Sequence, residues 1–296
     1  MLDIKLKEDL KNHCTFQTGG EADYFYELSD LKDLQALLKF AKEMKIPYFI
    51  LGKGSNILFD DKGFRGLVIK NISENITIKN TTVEADSGVP VSKLVMETFK
   101  KGLSPLEKWM GLPGTVGGAV YGNAGCNGLE TKEILKSVTL LNPKTGRTKK
   151  VSAKSLDLKY RSSKLKKSNE IVLKAIFQLK KSKLTSVEQK KIMVDLSHSR
   201  LEKQPLGLSS GSFFKNPSPK NPAGMLIDKA GLKGKKVGKA QISEKHGNFL
   251  LNLGGATSAE ILKLAKLAKQ QVKAKFGIVL VPEVQILDPK GKRKII

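Results

Sequence analysis

Cysteine is nearly missing from this chain of 296 residues: only Cys14 and Cys126 occur. Two thiols are too few for a disulfide framework or a cysteine-based zinc site, so a reducing compartment, the cytoplasm, is the expected location. Long apolar runs are missing too. None approaches the roughly 18 residues that a membrane span needs, and the opening MLDIKLKEDL mixes charge with apolar residues, unlike a signal peptide. Membrane insertion is not expected. Histidine is confined to His13, His198 and His246, too scattered for a metal triad, and no metal is expected. Internal repeats and low-complexity linkers do not occur.

Arginine is the scarce cation. Of 53 basic residues only five are Arg, at positions 65, 147, 161, 200 and 293. Direct base readers favour Arg for bidentate contacts to guanine, so the net charge of +25 does not by itself imply a nucleic-acid partner, and none is expected. The charge is also uneven. The first 100 residues carry 14 basic against 15 acidic side chains, the remaining 196 carry 39 against 13. A positive field over the second two-thirds suits an anionic small substrate, whose local concentration it raises.

What is present is a mixed α and β pattern and a hydrophobic content of 40%, enough for about two domains with cores. Ser29 or Asp30 is placed to cap a helix with apolar positions Leu31, Leu34, Leu37, Leu38, Ala41 and Met44. Strands are expected at Tyr48–Leu51 and Leu67–Ile69, a helix at Val91–Lys101 stopped by Gly102, and a hairpin around Pro143-Lys144-Thr145-Gly146. Another strand is expected over Ile171–Leu179. Thr185 with Glu188, and Thr257 with Glu260, read as capping boxes opening helices to about Lys203 and to Phe276. The apolar run Ile278–Leu287 reads as a buried strand carrying one acid, Glu283. The texture changes near residue 182. We therefore expect a larger α+β domain over 1–182, with a subdomain boundary near 70, and a smaller α/β domain over 183–296.

Two glycine-rich loops stand out. GLPGTVGGAVYGNAG spans Gly111–Gly125 with six glycines in fifteen residues, a density that argues against regular helix or strand and for close backbone approach to a flat or phosphorylated ligand. LGKGSN, Leu51–Asn56, leaves a strand as a phosphate loop would. It is neither a Rossmann fingerprint, which wants Gly at the position of Ile57, nor a Walker loop. Two such loops suggest a dinucleotide held without a Rossmann fold. In the second domain GSFFKNP, Gly211–Pro217, packs a hydroxyl, a cation and an amide together without a GxSxG elbow, which speaks against a hydrolase. Glu283 between apolar neighbours must be paired, hydrogen-bonded or protonated.

GEADYF, LGKGSN, GLPGTVGGAVYGNAG, YRSS, GSFFKNP, KHGNFLLN and FGIVLVPEVQIL, in this order, resemble the UDP-N-acetylenolpyruvoylglucosamine reductase family, the MurB-type flavoenzymes of peptidoglycan synthesis. The resemblance runs from about Thr15 to Leu287. It implies an FAD-binding domain of the vanillyl-alcohol-oxidase (PCMH) type in two subdomains, and a C-terminal α/β substrate domain. It implies noncovalent FAD, NADPH as hydride donor, and UDP-N-acetylglucosamine enolpyruvate as the substrate reduced to UDP-N-acetylmuramate. A monomer is expected. Of the residues that attach flavins covalently in this fold class, Cys126 follows the second loop while His13 lies outside both.

The resemblance also places the site. Arg161, Ser212 and Glu283 fall on the family's active-site positions. Flavin contacts fall on Gly52, Lys53, Gly54, Ser55 and Asn56, and on Gly111, Gly114, Thr115, Gly117, Gly118, Asn123 and Gly125. Substrate contacts fall on Tyr160, Lys215, Asn216, His246 and Asn248. In that reading Arg161 and Glu283 stabilise charge that develops on the substrate, Ser212 delivers a proton, and Lys215 replenishes it. The family's longer variant has a Tyr on an extra loop over the substrate pyrophosphate. No Tyr lies between Arg161 and Ser212 here, so the chain resembles the short variant. Another flavin oxidoreductase of the same fold would share the glycine loops but not GSFFKNP together with PEV.

Overall fold

The computed structural model describes residues 2–294 and 296. Its first sheet is mixed. β1 (Lys5–Asp9) runs antiparallel to β2 (Glu21–Leu28), and β2 and β3 (Tyr48–Leu51) flank β5 (Phe64–Asn71) in parallel. The parallel pairs need crossovers, one of which is α1 (Asp33–Glu43). The short β4 (Ile57–Phe59) follows the first glycine loop.

A second, antiparallel sheet has five strands. In chain order they are β6 (Ile76–Lys79), β7 (Thr82–Asp86), β8 (Leu135–Leu141), β9 (Thr148–Ser152) and β10 (Ile171–Gln178). In space the order is β9-β8-β10-β7-β6. α2 (Val91–Lys100) and α3 (Val116–Gly122) pack with it over a core holding Val83, Leu94, Trp109, Val116, Val138 and Phe177. Trp109 is fully buried, and its indole N–H donates to the Leu129 carbonyl at 3.1 Å, which removes the cost of burying that donor.

The C-terminal third carries α4 (Ser186–Lys203), α5 (Ala223–Lys229), β11 (Ala240–Ile242), β12 (Leu250–Asn252), α6 (Ser258–Phe276) and β13 (Gln285–Leu287). Its apolar side chains share one cluster with the first sheet: Phe25, Phe59, Phe64 and Val68 pack with Phe213, Leu226, Leu264, Leu280 and Ile286. β13 adds to β4 in parallel, pairing Gln285 with Ile57. The Asp61 carboxylate takes the first N–H groups of α6, from Ser258 at 2.7 Å and Ala259 at 3.1 Å. The junction between the first sheet and the C-terminal third is thus core, and it fixes the end of the first glycine loop against the segment that carries Glu283.

Local signals translate well where they are self-contained. Both capping boxes form, with Thr185 and Thr257 each accepting from the N–H three residues on. Gly102 and Gly277 take the left-handed conformation after their helices. Three expectations change and one strand is added. α1 begins at Asp33 with Lys32 at its N-cap, and Asp30 instead accepts from Lys32 N at 3.0 Å; Met44 is exposed. β4 had no separate signal, because three residues show no period. The glycine-rich segment does contain a helix, α3, because Thr115 caps it and Gly117 must lie against Ser87, where a β-carbon would come within 2.9 Å. The run Ile278–Leu287 is a strand only over Gln285–Leu287. Val279 and Val281 face outward while Leu280 and Val284 are buried, and Pro282 has no N–H to give a ladder.

Candidate active site

The two glycine loops, some 60 residues apart in sequence, touch. A β-carbon on Gly52 would sit 2.7 Å from Thr115 Oγ1, and one on Gly114 would sit 3.1 Å from Ser55 Oγ. Gly54, at φ +65°, is the tightest point: a β-carbon there would lie 2.1 Å from the His13 carbonyl oxygen. The backbone N–H groups of Lys53, Gly54, Ser55 and Asn56 have no acceptor among the described residues, although Gly54 is buried. Successive free N–H groups in a tight loop form a cradle for a phosphate. In α3, Gly118 and Gly122 lie one turn apart, and β-carbons on them would meet almost nothing. That bare strip of helix admits a flat ring. A dinucleotide such as FAD therefore fits the residues present at the two loops.

Some expected flavin contacts are otherwise engaged. The α3 N–H groups of Val116 and Gly117 are spent on the carbonyls of Val89 and Ser87. Asn123 is fully buried in left-handed conformation. Its amide donates to Glu130 (3.1 Å) and to the Lys159 carbonyl (3.0 Å), and its oxygen accepts from Lys132 N (2.9 Å). Asn123 is thus a structural pin under the loop, whose side chain is not free to reach a ligand. His13 lies outside the loops in sequence, yet its backbone touches Gly54. Its ring is held by Glu8 at 2.8 Å, by Lys70 at 3.2 Å, and by stacking on Phe25.

Arg161 and Glu283 meet where the loops end. Arg161 Nε lies 2.7 Å from Glu283 Oε1, an ion pair not aligned as a hydrogen bond. Arg161 also reaches Gly125, donating to its carbonyl at 3.4 Å, and its guanidinium lies 5.4 Å from the centre of the Tyr160 ring. The Glu283 carbonyl accepts from the Asn56 amide at 3.2 Å, which ties it to the first loop. Burial pushes the Glu283 carboxyl above its ordinary range, against the pull of Arg161, Lys166 and Lys215. One carboxyl thus faces three cations and still favours its proton more than a solvated Glu does.

GSFFKNP is held beside Glu283 by backbone. Glu283 N donates to the Phe213 carbonyl at 2.8 Å and Lys215 N to the Val281 carbonyl at 2.9 Å. Phe213 and Phe214 are buried edge to face, their ring centres 5.1 Å apart. They anchor a segment that leaves Ser212 and Lys215 half-buried. Asn216 is exposed; its N–H donates to Tyr160 Oη at 3.3 Å and its side-chain oxygen accepts from Ala223 N. Asn248 is not available to a ligand. It is buried, and its amide clamps Phe214, accepting from that residue's N–H (2.9 Å) and donating to its carbonyl (2.8 Å). His246 is half-buried with Nδ1 accepting from Asn248 N, and burial pushes its pKa down, toward the neutral ring.

Sequence reading missed three cations. Lys166 donates to the Arg161 carbonyl, Arg293 hydrogen-bonds Tyr121 Oη, and Arg200 packs on Gly111 with Nη1 3.8 Å from Cys126 Sγ. Rarity was the available signal for two of them: three of only five arginines stand at this junction. Lys166 sits in a lysine run and carried none.

A family model described as "UDP-N-acetylenolpyruvoylglucosamine reductase, C-terminal domain" matches residues 203–287, and one described as "FAD binding domain" matches 22–152. A UDP-N-acetylenolpyruvoylglucosamine reductase of Clostridium botulinum (strain 657 / Type Ba4) is 38% identical over 286 residues, spanning 96% of this chain and 92% of its own. One from Syntrophomonas wolfei is 38% identical over 287 residues, 96% of this chain and 95% of its own. The crystal structure of the Thermus caldophilus reductase superposes with a TM-score of 0.80 at 32% identity, covering 97% of this chain and 98% of the other. The α+β fold with a vanillyl-alcohol-oxidase-type FAD domain and the family's C-terminal domain follows from these matches. The chain belongs to the UDP-N-acetylenolpyruvoylglucosamine reductase family, FAD-dependent oxidoreductases of peptidoglycan precursor synthesis.

Proposed function

We propose that the Arg161–Glu283 junction is where the enolpyruvyl ether of UDP-N-acetylglucosamine is reduced to UDP-N-acetylmuramate, with NADPH as the electron source, in the cytoplasm and by a monomer. The product feeds the cell wall, on which cell shape and division depend. No helix among the described residues is long and apolar enough to cross a membrane. The observation that carries the reading is the 2.7 Å pair itself, set where both glycine loops end. Bound FAD supplies the hydride carrier between NADPH and substrate.

The chain's own residues do the rest. Gly52–Asn56, Gly111, Gly114, Thr115, Gly117, Gly118 and Gly125 shape the flavin cradle, mostly through backbone. Arg161 offers its guanidinium to the substrate carboxylate as negative charge builds there. Glu283, kept prone to protonation by burial, donates to the same developing charge. Ser212 gives the proton to the substrate carbon next to the carboxylate, and Lys215, three residues on, restores it through solvent. Tyr160 and Asn216, already in contact, border the substrate entrance. The division into a flavin domain over 1–182, with subdomains meeting near 70, and a substrate domain over 183–296 places this junction between the two.

Separating the half-reactions tests the proposal. In Ser212→Ala, anaerobic NADPH should bleach the flavin at the wild-type rate. Recolouring by the enolpyruvyl nucleotide should slow by roughly 10²–10⁴-fold, the range for a lost general acid. Equal slowing of both steps would place Ser212 in flavin binding instead.

A further inference from the structure

Lys166 is a cation the reading so far leaves without a task. It follows Arg161 by five residues in the turn Lys164–Lys167 and is half-buried. It forms no ion pair with a carboxylate among the described residues. Keeping charge there is costly: burial, with Lys215, Arg293 and Arg161 nearby and only Glu283 opposing, pulls its pKa down to about 8.

Its one hydrogen bond among the described residues is specific. Nζ donates to the main-chain oxygen of Arg161 at 2.8 Å, while the ammonium lies 5.7 Å from the centre of the Tyr121 ring. Arg161 needs such a partner. Its φ is +50°, the left-handed region that a residue with a β-carbon adopts only when its surroundings insist. Lys159 and Ser162 bridge around it, each donating to the other's carbonyl at 3.0 Å, and Ser163 Oγ anchors the next turn to the Tyr121 carbonyl at 2.6 Å. Those bonds form the turn. Lys166 holds the carbonyl of Arg161 itself, the group whose orientation moves with the residue's backbone angles and so with the direction of its side chain.

We propose that Lys166 is a positioning residue for the substrate-reducing step: by donating to the Arg161 carbonyl it fixes the left-handed backbone from which the guanidinium reaches Glu283. The proposal rests on the reading of Arg161 and Glu283 as the reducing pair. It predicts that Lys166 acts through Arg161 and not on flavin reduction. It also predicts that any side chain able to hold the same carbonyl will serve.

The test uses flavin-loaded protein carrying Lys166→Met, Lys166→Arg, Arg161→Ala, and the Arg161→Ala, Lys166→Met pair. Lys166→Met should be bleached by NADPH at the wild-type rate and recoloured by the enolpyruvyl nucleotide roughly 10–100-fold more slowly, the scale of a misplaced reacting group. Lys166→Arg should recover most of that loss. Adding Lys166→Met to Arg161→Ala should cost nothing further, since the two act as one unit. Wild-type recolouring in Lys166→Met beside a slow Arg161→Ala overturns the proposal alone. So do losses that multiply in the pair. Wild-type recolouring in Arg161→Ala overturns the reading of the reducing pair, and the proposal with it. If Lys166→Met does not fold with flavin, Lys166→Ala, which likewise removes the donor, carries the same comparison.

Discussion

Around the first glycine loop the chain offers backbone. Gly54 has no room for a β-carbon, and Lys53 to Asn56 present N–H groups in sequence. Across the junction it offers side chains: the Arg161 guanidinium, the Glu283 carboxyl and the Lys215 and Lys166 ammoniums. A backbone cradle fails by sterics, all at once, and does not titrate. A side-chain cluster keeps its fold when one group is trimmed and loses only the chemistry that group performed. The two halves should therefore answer mutation and pH in different ways.

The sharpest break is on the backbone half. Gly54→Val puts branched carbon atoms against the His13 carbonyl in a left-handed residue. Strain of that kind costs about 1–3 kcal/mol from the backbone alone, before the clash is counted. We expect purified Gly54→Val to be colourless, with no flavin released on acid denaturation. Wild-type protein should release all of its yellow colour, as noncovalent FAD requires. A yellow Gly54→Val protein would mean that the loop yields and the cradle is not rigid.

On the side-chain half, Glu283→Gln should keep its flavin and its NADPH step while recolouring by substrate slows by roughly 10²–10⁴-fold, because an amide cannot supply the carboxyl's acidic proton to the developing charge. The pH dependence supplies a second reading. Burial raises the Glu283 pKa in the folded protein, so the folded chain retains a proton that the unfolded chain has given up. That contribution to stability is complete below the ordinary carboxylate range and is lost as pH rises through the raised pKa. Melting temperature measured against pH should fall less steeply over that interval in the Gln variant. Recolouring at the wild-type rate would make Glu283 a structural residue.

The smallest effect on chemistry is expected from Asn248→Ala. It strips partners from the buried N–H and carbonyl of Phe214, at ~2–4 kcal/mol of stability. Turnover per folded molecule and the KM for substrate should stay unchanged. A raised KM without a lower melting temperature would return Asn248 to the substrate side.

Legibility followed the same division. Glycine density marked both halves of the cradle because a missing β-carbon is written in the sequence. The capping boxes at Thr185 and Thr257 were legible because their partners lie three residues away. Asn123 and Asn248 were not, since an amide looks the same in sequence whether it faces a ligand or clamps a neighbouring segment. Lys166 was hidden among lysines.

By itself the sequence determined the helices with capping boxes and their glycine stops, and that two glycine loops and an acid between apolar neighbours need explaining. Those are consequences of short-range backbone geometry and of the cost of burying charge. Only the tertiary structure decided which groups meet. Gly52 touches Thr115, Asn56 holds the Glu283 backbone, and Arg161 pairs with a carboxyl 122 positions away. Those contacts exist because the C-terminal third buries its apolar face on the first sheet and closes β13 against β4, and that packing brings Glu283 to the mouth of the loops.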